Sequence, residues 1–352
     1  MVKAEIYLFS FIALTFRYKI KNTVKHRPIG NQNESFTVYV RKTAIMKRTT
    51  KEIAQLLIDK LWEQYVERFP YARQYADLVV EKGGKLVIDH IAFRTFNAHT
   101  GEQPEGIRAI KHILNFLGYM PVSKYKFSKK KLNATHFEHP DETLPKIFVS
   151  QLEIQDLPNW AQNIINETVH NTYYLLSDKS LELLAILKEN GNLPIEAADF
   201  LVEDLAQYFR RPWNIPLKDE VLKLNDISQF GAWVLIHGNS VNHFAVLIND
   251  QNIEEWHNLE ATSSALIRLG IPMKDTIEGE PGSKLRQTAT LASKVEVDVK
   301  GEDGFEKMVW TYAYFELAER NFIEVDGKRK LFSGFLDEQA NHFFDLTETH
   351  EN

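Results

Sequence analysis

Cysteine is absent from the chain. That excludes disulfides, thiolate metal sites, iron–sulfur clusters and cysteine nucleophiles together. Any metal must then be held by His, Asp, Glu or water, a donor set suited to Fe(II), Mn(II), Zn(II) or Ni(II). An excess of positive charge is missing too. Against 48 acidic residues stand 42 Lys and Arg, a formal net charge of −6, so no basic field invites nucleic acid or anionic lipid. The apolar run Ile6 to Phe16 falls short of the roughly 20 residues that span a bilayer. Arg17, Tyr18 and Lys19 follow it in place of a small-x-small cleavage site, against the pattern of a secretory signal. Glycine-rich phosphate loops, nucleophile elbows and nucleotide fingerprints are also lacking. The expectation is a cytoplasmic globular protein without nucleic-acid or membrane partners, its 352 residues enough to bury a large core.

Periodicity supplies the organisation. Residues 1–45 read as an N-terminal extension, and residues 46–352 as a single catalytic domain. Thr49-x-x-Glu52 has capping-box spacing, and Ile53, Leu56, Leu57, Leu61 and Tyr65 recur with a helical period. After Gly83-Gly84 comes a strand over 86–96, then an amphipathic helix over 107–117 stopped by Gly118. Strands follow near 122–127, 134–139 and 146–154. Residues 157–229 read as a helical insertion punctuated by Pro194, Pro212 and Pro216. The first pattern then returns: strand material over 232–248, a helix over 253–269 closed by Gly270, and strands over 285–299 and 309–319. This predicts an α+β fold of two βαβββ units (86–156 and 230–352) forming a cupped mixed sheet.

The repeat carries the chemistry. Ile88-Asp89-His90-Ile91-Ala92-Phe93-Arg94 and Ser240-Val241-Asn242-His243-Phe244-Ala245-Val246 each place an acid or amide, a His and an apolar run in one order. Two imidazoles at equivalent points of a duplicated unit suit a shared metal. With Phe116-Leu117-Gly118-Tyr119, Pro145 to Ser150, Val241-Asn242-His243 and Tyr314-Phe315-Glu316, the first motif resembles the DUF1338 family. That family is associated with 2-oxoadipate dioxygenase/decarboxylase and is similar in fold to the vicinal oxygen chelate enzymes.

The resemblance covers about Met46 to Phe344. It implies a non-haem Fe(II) enzyme that uses O2 to convert 2-oxoadipate to 2-hydroxyglutarate and CO2 in lysine breakdown. It also implies metal ligation by His90, His243 and Glu316, and Arg94 as the residue that holds substrate carboxylate. Ser150-Gln151 departs from the family, where Glu commonly follows Ser. Two His and one carboxylate leave positions open for a chelating 2-oxo acid and O2. Glu316 has an alternative reading as the ion-pair partner of Arg320.

Arg94 lies four residues beyond His90, on the same strand face and roughly 13 Å along it. From there its fork reaches toward the distal end of a diacid. Arg286 and Gln287 are further substrate-binding candidates. His237 shares the strand parity of His243 and is a candidate neighbour of the metal, whereas His136 and His139 are expected at the surface. The competing readings are a metal-dependent glyoxalase-like isomerase or lyase, and a non-catalytic metabolite-binding protein.

Overall fold

Thr49 caps the first helix as its spacing from Glu52 predicts. Its hydroxyl accepts from the Glu52 amide at 3.3 Å, and the Glu52 carboxylate accepts from the Thr49 amide at 2.7 Å. In the computed structural model, residues 46–99, 105–170, 172, 176–336 and 344 are described. The 1–45 extension and the loop Asp337 to Ala340, which would be a candidate for lining the cavity, lie outside them. Strand β1 (Lys47–Thr49) leads into α1 (Thr50–Arg68) and α2 (Pro70–Glu81). The first unit is β2 (Ile88–Phe96), α3 (Gly106–Phe116), β3 (Met120–Phe127), β4 (Leu132–Glu138) and β5 (Lys146–Leu152). Helices α4 (Asn159–His170), α5 (Asp178–Asn190), α6 (Ile195–Tyr208) and α7 (Lys218–Asn225) form the insertion, with β6 (Asn192–Pro194) pairing β1.

The second unit departs from its expected boundaries in three places. Residues 232–237 are helical, within α8 (Gln229–His237), and only β7 (Val241–Leu247) is strand. From Phe230 to His237 every residue of α8 is buried, and a segment apolar all round shows neither a two-residue nor a 3.6-residue period. The expected helix over 253–269 is a short 3-10 turn at Glu254–Trp256 followed by α9 (Leu259–Arg268). The two long strands become four: β8 (Leu285–Ala289), β9 (Lys294–Gly301), β10 (Gly304–Thr311) and β11 (Glu316–Arg320). Strands β9 and β10 pair as a separate hairpin between the last two strands of the unit. Isolated bridges Met273–Thr290 and Glu278–Gln287 supply the remnant of the unit's missing strand. A last hairpin, β12 (Phe322–Val325) and β13 (Lys328–Leu331), follows.

The main sheet is seven-stranded and mixed, in the order β3-β4-β5-β2-β7-β11-β8. The two units meet where β2 and β7 run antiparallel, while β5 lies parallel to β2 and β11 parallel to β7. The same pairing therefore repeats on each side of the junction. Helix exits repeat too. The Tyr119 amide donates to the Leu114 carbonyl and the Ile271 amide to the Leu266 carbonyl, both at 3.0 Å. Gly118 (φ +88°) and Gly270 (φ +82°) supply the left-handed residue these stops require. On the helical face, Phe244 of β7 meets Trp62 at 5.0 Å and Tyr65 at 5.1 Å between ring centroids. Strand alternation sends its neighbour His243 the other way, into the cup.

Candidate metal centre

His90 on β2, His243 on β7 and Glu316 on β11 converge in the cup. The Nε2 atoms of the histidines are 3.4 Å apart. Glu316 Oε1 is 3.5 Å from His90 Nε2, and its Oε2 is 3.6 Å from His243 Nε2. Donors so grouped could hold one metal ion, whose bonds from imidazole and carboxylate are about 2.0–2.2 Å long. His90 and Glu316 are 2% and 1% exposed, so this is an interior site.

Its electrostatics suit a cation. Burial, first, and the charge of Asp89, second, push the Glu316 carboxyl up to about 8, against the Gln287 hydrogen bond and the Arg320 charge. Burial holds the His243 imidazole well below its usual value, reinforced by His90 and Arg94, and burial also lowers His90 although Asp89 opposes it. Two neutral imidazoles and a carboxyl reluctant to ionise alone are what a divalent ion would complete.

Two β-bulges, which the motif reading missed, orient the imidazoles. The β2–β7 register slips between Ile88 and His90, and again where Ala92 and Phe93 pair with His243 and Val241. The extra residues are Asp89 on β2 and Asn242 on β7. Each bulge lets its residue reach back to the neighbouring ring. His90 Nδ1 donates to Asp89 Oδ2 at 2.7 Å, and His243 Nδ1 donates to Asn242 Oδ1 at 3.0 Å, which leaves both Nε2 atoms free to ligate. The signal was legible as an acid or amide immediately before each His. Although burial opposes it, Arg320 keeps Asp89 ionised, its carboxyl well below the ordinary range. Arg320 thus pairs with Asp89, not with Glu316 as the alternative reading had it.

The repeat also shows where a fourth ligand would stand. Ala92, two beyond His90, is opposite Phe148, whereas Ala245, two beyond His243, is opposite Glu316. Phe148 therefore occupies the first unit's counterpart of the Glu316 position, and its ring lines the cavity. A phenyl group offers no donor, so among the described residues the metal-donor group stays at His90, His243 and Glu316.

Arg94 lines the same cavity. It is 1% exposed, its guanidinium 4.9 Å from the Phe230 ring, 5.2 Å from Trp233 and 6.0 Å from Phe344. Gln287 is also in the lining, but its amide donates to Glu316 and so holds the carboxylate. Arg286 is not brought to the cavity. One residue out of phase with Gln287, it pairs with Glu319 at 3.2 Å and with Glu260. Gln151 faces away from the cup as well, its carbonyl accepting from the Ile107 amide at 2.8 Å beneath the start of α3. Gly106 is required there, since a Cβ would meet Gln151 Oε1 at 2.0 Å. His237 is buried against Thr311 and Arg68, outside the cavity lining. His136, expected at the surface, is 1% exposed and bonded to the Tyr125 hydroxyl at 2.8 Å. Its three-residue spacing from His139 sends the two rings different ways and reveals nothing about burial.

A family model described as 2-oxoadipate dioxygenase/decarboxylase matches residues 57–351. The chloroplastic 2-oxoadipate dioxygenase/decarboxylase of Arabidopsis thaliana is 25% identical over 306 residues, 83% of this chain and 74% of that protein. A glyoxalase-superfamily protein of known structure from Ralstonia eutropha JMP134 is 27% identical with a TM-score of 0.73, over 80% of this chain and 87% of that one. The hydroxyglutarate synthase of Oryza sativa, solved with 2-oxoadipate, shares the fold at 21% identity and a TM-score of 0.65, over 85% and 93% of the two chains.

Proposed function

The chain belongs to the 2-oxoadipate dioxygenase/decarboxylase family, and from that membership we propose that it converts 2-oxoadipate, or a closely related 2-oxo diacid, with O2 into 2-hydroxyglutarate and CO2 in lysine breakdown. One 2-oxoadipate and one O2 supply every atom of one 2-hydroxyglutarate and one CO2, so no outside reductant is needed. His90, His243 and Glu316 are the proposed holders of Fe(II). Bound there, Fe(II) would supply chelation of the 2-oxo acid and the redox chemistry that O2 alone lacks.

The protein's own contribution is orientation and exclusion of water. The observation that carries the reading is the pairing, in one buried cavity, of a centre with three donors among the described residues and a guanidinium on the strand of His90. Arg94 is assigned to the far carboxylate of the diacid, where its planar fork fits both oxygens and fixes the chain's direction. Gln287 keeps the Glu316 carboxylate turned toward the histidines. Phe148, Phe335 and Phe344 wall the cavity with apolar surface, which strengthens the electrostatics within. The plant relatives carry chloroplastic names, and among the described residues no helix is long and apolar enough to cross a membrane. A cytoplasmic setting is kept as part of the proposal.

An oxygen electrode on Fe(II)-loaded protein, run across a panel of 2-oxo acids, tests the reading. O2 uptake matched by CO2 release, greatest with a six-carbon diacid, is the expected result. Turnover without O2 would overturn it in favour of an isomerase or lyase. No turnover with any member, despite bound metal, would favour a binding protein.

A further inference from the structure

Arg320 uses one guanidinium in two directions. Toward the centre, Nε and Nη2 donate to Asp89 Oδ1 and Oδ2 at 2.6 and 2.8 Å, and Asp89 in turn orients His90. Away from it, Nη1 donates to the carbonyls of Phe332 at 3.0 Å and Gly334 at 2.8 Å. The next residue, Phe335, sets its ring edge-on to the His90 ring at 4.9 Å and lies 5.3 Å from the guanidinium. Phe335 and Leu336 form part of the cavity wall.

We infer that Arg320 is a positioning residue that sets the orientation of His90 and the placement of the Phe335 wall as one unit. The inference rests on the metal-centre reading given above. Arg320 is 1% exposed and Asp89 3%. A buried pair of this kind gains little stability over an apolar substitute and is best understood by what it specifies. Here it ties a ligand's orienting carboxylate to a stretch of backbone that closes the cavity. The other unit has no such tie: Asn242 is uncharged, and its Nδ2 has no hydrogen-bond partner among the described residues. Lys at position 320 would keep the charge but lose the fork that serves both sides at once.

The test uses the full metal-free chain. Co(II) titration followed by visible absorption reads the centre, and amide hydrogen exchange over residues 332–336 reads the wall. Arg320→Lys is expected to weaken Co(II) binding about 10- to 100-fold and to speed exchange over 332–336 in the same variant. Phe335→Ala, which leaves the Arg320–Asp89 pair in place, should also speed that exchange. Wild-type affinity in Arg320→Lys, or weakened affinity with unchanged exchange, overturns the inference. If Arg320→Lys fails to fold, the neutral pair Asp89→Asn with Arg320→Gln leaves no lone buried charge and takes the same two readouts. His90→Ala separates the two levels. Wild-type Co(II) binding there overturns the centre itself, whereas loss there with none in Arg320→Lys overturns only the role of Arg320.

Discussion

The first unit brings to the cavity an imidazole backed by a carboxylate, a phenyl ring and a guanidinium. At the same points the second brings an imidazole backed by an amide and a carboxylate, and the alkyl chain at its counterpart of Arg94 is outside the cavity lining. The pairs are Asp89 and Asn242, Phe148 and Glu316, and Arg94 and Leu247. The backbones agree down to the bulge before each His and the glycine stop after each helix. Duplication thus supplies a symmetric frame, and three substitutions make it directional. One half would hold an ion from the carboxylate side; the other has a phenyl ring at that point and a cation beyond it. A symmetric site with a carboxylate on both sides would bind metal as well or better and leave less room for a chelating substrate.

The comparison is broken most completely by removing what the halves share. His90→Ala and His243→Ala are each expected to abolish bound metal and O2 uptake with 2-oxoadipate, measured by metal analysis and oxygen electrode. Full activity in either would show that the two units do not act on one ion. Next in size is the variant that restores symmetry. Phe148→Glu places a second carboxylate opposite Glu316, and the expected outcome is metal retained with O2 uptake lost, because the open side is filled. Metal loss in that variant would mean that Phe148 is a packing residue and not the counterpart of a ligand. A smaller effect attends the third pair. Arg94→Met removes a charged hydrogen-bonding group worth about 1.5–3 kcal/mol, roughly a 10- to 150-fold loss in kcat/KM. It is expected mainly in KM, with bound metal unchanged.

Much of this frame was legible in the chain itself, and the reasons differ by element. The paired His motifs could be read because a buried strand repeats its chemistry every second residue, and both copies kept the acid or amide before the His. Thr49 and Glu52 announce a helix start because their side chains can satisfy only amides at that spacing. Helix α8 was read as strand because Phe230 to Ile236 is apolar on every face, so the environment and not the pattern decides. The β9–β10 hairpin was merged with its neighbours because its β-forming residues continue those of β8 across only a few residues. Arg286 and Gln287 looked equally suited to an anion. Register alone separates them, since Gln287 pairs with Ala318, in phase with Glu316, while Arg286 pairs with Glu319.

The least of the expected effects concerns the one carboxylate that the first unit lacks. Without metal, Glu316 is pushed up to about 8, whereas in the unfolded chain it titrates near the ordinary value of about 4.3. Between those values the folded state binds the extra proton, so metal-free stability falls as pH rises and levels off above pH 8. Burial lowers both histidines, an effect that acts below their unfolded value of about 6.5 and runs the other way, so pH 7 to 8 isolates the glutamate. Over that interval metal-free protein should lose about 1 kcal/mol in chemical denaturation. Glu316→Gln should flatten the slope, because an amide has no proton to lose. A divalent ion should reverse it, since the ion binds the ionised form and gains affinity as the proton leaves. A flat profile in the metal-free wild type would mean that Glu316 is already ionised in the empty cavity, stabilised from within the protein. In that case the second unit's contribution to the centre would be a preformed negative charge in place of a carboxyl completed by the ion.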